Sequence, residues 1–110
     1  MLVTLERKPA ESVDADALVA LVFEGEKETR FPEAAGEFVS AGEIAGKPLE
    51  MTLLHRASGL AAKRLLLVGA GKREKYGNAE LRKAAGAAVR FLKGKSVRRI
   101  AFLPEPARAD

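Results

Sequence analysis

The stretch Arg64-Leu65-Leu66-Leu67-Val68-Gly69-Ala70-Gly71-Lys72 determines how the rest of the chain is interpreted. Four large apolar residues in a row, closed by a glycine, are typical of a strand buried on both faces of a parallel or mixed sheet. A glycine-rich turn after such a strand lets a backbone or a phosphate group approach closely. The turn at Gly69–Gly71 is therefore the first place to look for function.

Strands are predicted on both sides of this stretch. A second continuous apolar run predicts a central strand at Ala17–Phe23, and the run at Val97–Leu103 predicts the last strand. Glu50–His55 is predicted to pair with Leu65–Val68 as a wide hairpin. Leu2–Glu6 alternates weakly and is predicted to be an edge strand.

Two helices are predicted between the strands. Pro32 suits the first turn of a helix, which should end near Gly42. Asn78 is predicted as the N-cap of a second helix, whose apolar face runs to Leu92 and whose left-handed C-terminal cap is Gly94. Strands interleaved with helices imply a layered α/β sheet with some parallel pairing.

The composition fits one globular domain. The chain has 110 residues, of which 47% are hydrophobic and 31% charged, and it contains no cysteine. No apolar segment has the length of a signal core or a membrane span, so we expect a soluble, cytoplasmic domain with no membrane partner. The net charge of +4 raises nucleic acid and acidic surfaces as partners.

The catalytic and phosphate-binding motifs tested all fail. The third glycine of a dinucleotide G-x-G-x-x-G would fall at Glu74, and the first glycine of a P-loop would fall at Leu66. His55 is the only histidine and has no cysteine with which to share a metal ion. We therefore favour a structural turn at Gly69–Gly71 and find no catalytic constellation.

Basic residues are concentrated in the second half of the chain. Four of them would share the outer face of the second helix. A solvated face, or one that meets acids on a neighbouring domain, is favoured over nucleic acid because only 5% of the residues are aromatic. The candidate anion or interface contacts are Lys72, Arg73, Lys75, Arg82 and Arg90.

An ordered set of motifs resembles the N-terminal domain of the leucyl (cytosol) aminopeptidase family. The set comprises Gly46-Lys47-Pro48, Leu53-Leu54-His55, the run from Gly59 to Lys72 that ends in G-x-G-K, and the Ala-rich helix from Leu81 to Arg90. Each motif is common alone, but the order is fairly specific. The resemblance covers about residues 17–103.

The resemblance implies a macro-like three-layer α/β/α domain with a mixed sheet of about five strands and at least two helices. We expect this domain at residues 1–104, with 105–110 starting a linker to a C-terminal catalytic domain. Family members are typically hexameric metalloaminopeptidases with two divalent ions, manganese or zinc, in that domain. The family's N-T-D-A-E-G-R motif has no match here, so no catalytic or metal residue is carried over and no cofactor is expected in residues 1–110.

Two roles follow for the domain, the first from the resemblance and the second from the basic helix face together with the macro-like fold. The first is non-catalytic: packing against its own catalytic domain and supporting a homo-oligomer. The alternative is a basic module that binds nucleic acid or an ADP-ribose-like ligand. Macro domains carry an Asp shortly before an apolar strand that ends in asparagines, and Asp16 is faintly similar. Phe23-Glu24-Gly25 stands where the asparagines would be, which argues against that ligand.

Overall fold

A computed structural model describes residues 2–103, which form a five-stranded sheet with helices on both faces. The strands and helices follow the chain in the order β1 (Leu2–Leu5), β2 (Ala17–Val22), α1 (Pro32–Ser40), β3 (Met51–His55), β4 (Arg64–Gly69), α2 (Asn78–Leu92) and β5 (Arg99–Phe102). Short 3₁₀ turns lie at Ala10–Ser12 and Arg73–Lys75. The linker predicted at 105–110 lies outside the described residues.

The sheet has the strand order β1-β5-β2-β4-β3. β3 pairs antiparallel with β4, which confirms the predicted hairpin, and every other pairing is parallel. β4 and β5, joined through α2, are parallel but not neighbours, because β2 lies between them. β2 and β4 therefore occupy the interior of the sheet, as their continuous apolar sequences predict.

The two faces of the sheet have separate cores. Leu18, Ala20, Leu65 and Leu67 face α1, whereas the alternate residues of the same strands face α2. Because successive strand side chains point to opposite faces, both faces can be covered only if the sequence is apolar at every position. The unbroken run at 65–68 is the sequence signature of this three-layer arrangement.

The helix ends agree with the sequence except at one position. α1 begins at Pro32, and Gly42 just beyond its end has φ 81°; Gly94, after α2, has φ 86°. The prediction that Asn78 caps α2 was wrong by one residue, because Gly77 is the N-cap and Asn78 is already helical. Gly77 offers no side-chain oxygen, so the first turn has no side-chain cap.

Among residues 2–103 the longest helix is α2, with 15 residues, and none is both long and apolar enough to cross a membrane.

Candidate functional site

The glycine turn after β4 lies at the carboxyl end of the parallel strands, and its backbone donors are all in use. The N–H of Gly69 donates to the carbonyl of Glu50 (2.7 Å), that of Ala70 to Val22 (2.9 Å) and that of Gly71 to Gly46 (2.9 Å). A phosphate cradle needs free N–H groups that point at the ligand. This turn has none, and so it acts as a packing turn.

A second glycine loop, Gly46-Lys47-Pro48, covers that turn. A Cβ added to Gly69 would overlap the carbonyl oxygen of Lys47 and lie 2.8 Å from its carbonyl carbon. A Cβ on Gly46 would lie 2.6 Å from the carbonyl carbon of Phe23. The Glu50 carboxylate fixes the loop by accepting hydrogen bonds from the N–H groups of Ala45 (2.9 Å) and Gly46 (3.0 Å). Glycine is needed here because two backbones touch.

Beside the turn at 69–71 and the loop at 46–48 lies a small basic cleft, which we call the lysine pocket. Lys72, Lys75 and Lys83 line it, together with Glu80 from the first turn of α2. Pro48, Leu49 and the glycine turn complete its walls, and its volume is about 370 Å³. The pocket therefore unites two of the predicted contacts, Lys72 and Lys75, with a third lysine that was not singled out as a contact.

Arg73 lies close to these lysines in sequence but is held by a carboxylate. Its Nε lies 2.6 Å from Oε2 of Glu26, and its Nη2 lies 3.0 Å from Oε1. The guanidinium stacks 3.9 Å above the Phe23 ring, which meets Tyr76 edge-on at 5.1 Å. The hydrogen bond from Arg73 lowers the pKa of Glu26. This pair ties the loop after β2 to the turn after β4.

The other two predicted contacts lie elsewhere on α2. Arg82 is exposed on the outer surface of the helix. Arg90 lies at the edge of a separate apolar groove, beside Gly86. The five predicted residues therefore do not form one site: Lys72 and Lys75 share the lysine pocket, and the remaining three are dispersed.

Asp16, the residue that invited comparison with macro domains, has a structural task. Its Oδ2 accepts hydrogen bonds from the backbone N–H groups of Arg98 (2.8 Å) and Arg99 (3.0 Å), and Lys63 Nζ lies 3.6 Å from Oδ1. These two backbone hydrogen bonds, assisted by the Lys63 charge, lower the pKa of Asp16. The sequence alone does not predict these hydrogen bonds, because Arg98 and Arg99 lie more than 80 residues from Asp16. We call this contact between the starts of β2 and β5 the Asp16 clip.

The described residues do not suit a metal centre. Residues 2–103 hold no group of three or more His, Cys, Asp or Glu side chains that could bind a metal ion. His55 is exposed at the end of β3, opposite Arg64.

Comparison with known proteins shows the family of the chain. The model of the cytosol aminopeptidase family, N-terminal domain, matches residues 15–109. The chain belongs to the cytosol aminopeptidase family. It is 53% identical over 103 residues to a probable cytosol aminopeptidase of Solibacter usitatus, and 42% identical over 106 residues to one of Koribacter versatilis. These alignments confirm the family predicted from the ordered motifs.

The chain spans about one fifth of the length of these relatives. The Solibacter alignment covers 94% of this chain but 21% of the relative, and the Koribacter alignment covers 86% and 20%. What is matched is therefore the N-terminal domain alone.

A solved structure confirms the fold. The macrodomain of Mycobacterium tuberculosis DarG superposes with a TM-score of 0.65, covering 96% of this chain and 77% of that one. At 17% identity the similarity concerns the fold alone. The predicted macro-like α/β/α domain, with five strands and two α-helices in the described residues, is correct.

Proposed function

We propose that this domain is the non-catalytic N-terminal part of a leucyl aminopeptidase and supports packing against the catalytic domain and oligomer assembly. The observation that carries the proposal is the match to the family's N-terminal domain in a chain one fifth as long as its relatives. The full-length protein would be a metal-dependent hydrolase, with manganese or zinc, that releases N-terminal amino acids in the cytoplasm. The name cytosol aminopeptidase, carried by both relatives, supports that activity and location.

The proposal that this domain supports assembly but not catalysis is tested with three proteins made from one gene. They are residues 1–110, the full-length chain, and the full-length chain without residues 2–103. Each is assayed with leucine p-nitroanilide and manganese, and its mass is measured by light scattering. We expect hydrolysis by the full-length chain, none by residues 1–110, and a smaller assembly after the deletion. Hydrolysis by residues 1–110, or an assembly unaffected by the deletion, would contradict the proposal.

A second candidate function is anion binding at the lysine pocket. Three lysines line one cleft, and Glu80 is the one acidic residue among the residues that line it. Because the neighbouring backbone N–H groups are occupied, any anion would be held by side chains, and its affinity should fall as salt screens the lysines. Nucleic acid or an ADP-ribose-like ligand would use the same charges.

The anion proposal is tested by titrating ADP-ribose, and separately a short DNA duplex, at low salt while following backbone NMR shifts. Binding should shift Lys72, Lys75 and Lys83 and should weaken in the Lys75→Glu variant. Arg82→Glu, an equal charge change outside the pocket, is the control. Flat titrations of both ligands, or equal weakening by the two variants, would refute this function.

A further inference from the structure

β3 is an edge strand, and no strand of residues 2–103 pairs with its outer side. The N–H of Arg56 donates to the carbonyl of Lys63, and the carbonyl of Glu50 accepts from the N–H of Gly69. The even-numbered positions from 50 to 56 therefore direct their backbone groups to β4. Because the backbone groups of successive residues point to opposite sides of a strand, the odd-numbered positions of β3 direct their N–H and C=O groups outward, away from the sheet.

The sequence of this edge does not protect it from pairing. Edge strands commonly carry lysine or proline, which prevent another strand from adding to the sheet. β3 has the sequence Met51-Thr52-Leu53-Leu54-His55 and contains neither. Met51 and Leu53 pack on the α2 face of the sheet and Leu54 on the α1 face, and all three are only partly buried. A strand that is apolar on both faces is typical of the interior of a sheet, so a further strand beside β3 would complete its burial.

The edge of β3 is complementary to itself when two copies run antiparallel. If a two-fold axis passes beside Leu53, Met51 of each copy lies opposite His55 of the other, and the two Leu53 residues face each other. This register brings outward-directed positions together, so each outward N–H meets an outward C=O. A register shifted by one residue would set outward positions against positions that already pair with β4. One register is therefore specified.

The charges at the two ends of β3 favour the same register. Glu50 precedes the strand and Arg56 follows it, so antiparallel pairing brings Glu50 of each copy to Arg56 of the other. The N–H groups of Ala45 and Gly46 both donate to Oε1 of Glu50, and Oε2 can accept from a further donor. Arg56 is exposed and forms no ion pair within residues 2–103. A second copy of the strand satisfies both ends, whereas a partner of one charge sign would satisfy only one.

We propose that β3 is a self-association edge, through which two copies of the domain join their sheets antiparallel about a two-fold axis beside Leu53. This inference rests on the proposed function, because it names the surface by which the domain supports a homo-oligomer. Two-fold axes are the commonest symmetry of homo-oligomers and require a surface that is complementary to itself. Pairing of one short strand buries little area, so this contact acts together with others in the full-length protein.

The test uses photo-cross-linking in the full-length protein. Benzoylphenylalanine is introduced at His55, which is exposed and would lie opposite Met51 of the second copy. This chain carries one affinity tag and is coexpressed with a parent chain that carries another, so a product with both tags joins two copies. We expect such a product, linked at Met51 or an adjacent residue. The control position is Ser40, exposed at the end of α1, which should give no link to residues 50–56 of the other copy.

A lysine on the edge should prevent the pairing. Thr52→Lys places an ammonium group against Leu54 of the second copy, where it would lose water without gaining a partner. The yield of the two-tag product from His55 should therefore fall about tenfold. Ser40→Lys, an equal charge change away from β3, should leave the yield unchanged. Urea denaturation shows whether the Thr52→Lys variant is folded; if it is not, the position of the link from His55 decides the question.

Three results would overturn the inference: no two-tag product from His55, a link outside residues 50–56, or an unchanged yield in a folded Thr52→Lys variant. In each case the proposed function could still stand, because the domain could support assembly through another surface. A full-length protein that is monomeric by light scattering would contradict both.

Discussion

The carbonyl group of Lys47 lies directly against the α-carbon of Gly69, leaving no room for a side chain at that position. The contact is reinforced on both sides, because Leu49 N–H donates to the Gly69 carbonyl (2.8 Å) and Gly69 N–H donates to the Glu50 carbonyl (2.7 Å). The loop at 46–48 thereby covers the end of β4. The two glycine motifs that carry the family resemblance are thus two halves of one packing contact.

Replacing Gly69 with alanine should be strongly destabilising. The new methyl group would meet backbone atoms, which cannot move aside as a flexible side chain can, so we expect a loss of about 3 kcal/mol in the free energy of unfolding. Gly36→Ala is the matched control, because Gly36 lies inside α1 with only Pro32 nearby (3.9 Å). That variant should gain about 0.5–1 kcal/mol from helix propensity. Urea denaturation of both variants measures the difference, and a neutral Gly69→Ala would refute the contact.

The half-buried carboxylate of Asp16 should contribute measurably to the stability of the domain. Asp16→Ala removes two charge-assisted hydrogen bonds to backbone N–H groups at the start of β5. The side chain is 19% exposed, so we expect a loss of about 1–2 kcal/mol. Asp14→Ala, at an exposed aspartate two residues away, should cost less than about 0.5 kcal/mol. Equal losses in the two variants would show that the clip contributes nothing.

The carboxylates of Asp16 and Glu26 should make the stability of the domain depend on pH in the acid range. The fold lowers the pKa values of Asp16 and Glu26, so the unfolded chain binds more protons than the folded one as the pH falls. The stabilisation is complete above the unfolded-state pKa values and is lost progressively below about pH 5. Urea midpoints measured from pH 7 to pH 3 should fall for the parent protein and fall less steeply for Asp16→Ala. If the pH dependence were as steep in Asp16→Ala as in the parent protein, Asp16 would not be one of the carboxylates responsible for it. Asp14→Ala serves as the control.

The elements of the fold could be predicted from sequence because each depends on local pattern. Apolar runs at 17–23 and 65–68 specify doubly buried strands, and proline and glycine mark the ends of α1. The strand order could not be predicted in this way. β5 inserts between β1 and β2. This position in the sheet involves contacts between distant parts of the chain, such as the hydrogen bonds from the N–H groups of Arg98 and Arg99 to Asp16, which is 82 and 83 positions away from them.

For the candidate site, too, the sequence predicts the local features but not the contacts between distant residues. Composition and spacing indicate that the second half of the chain is basic, but they do not indicate which cations are already paired. Glu26 and Arg73 are 47 residues apart, and only the pairing of β2 with β4 brings their loops together.

The pairing of Arg73 with Glu26 should depend on the shape of the guanidinium as well as on its charge. Two parallel hydrogen bonds and a stacked Phe23 ring suit a planar fork, which an ammonium group cannot reproduce. A double-mutant cycle with Glu26→Gln should give a coupling energy of about 1 kcal/mol for Arg73, since the pair is partly exposed. In an Arg73→Lys background the coupling should fall by about half or more. Full coupling with lysine would show that charge alone suffices.

The interior strand β4 should be the part of the sheet least tolerant of lost side-chain volume. Leu66 is fully buried and packs with Val19, Ala84 and Ala88 on the α2 face of the sheet. Leu66→Ala should therefore cost about 3–4 kcal/mol, through lost burial and the cavity left behind. Leu2→Ala is the matched control, because Leu2 is 57% exposed on the edge strand, and its loss should cost less than about 1 kcal/mol. Both values come from urea denaturation. Similar losses in the two variants would mean that the run at 65–68 is not the interior strand on which both layers of helices pack.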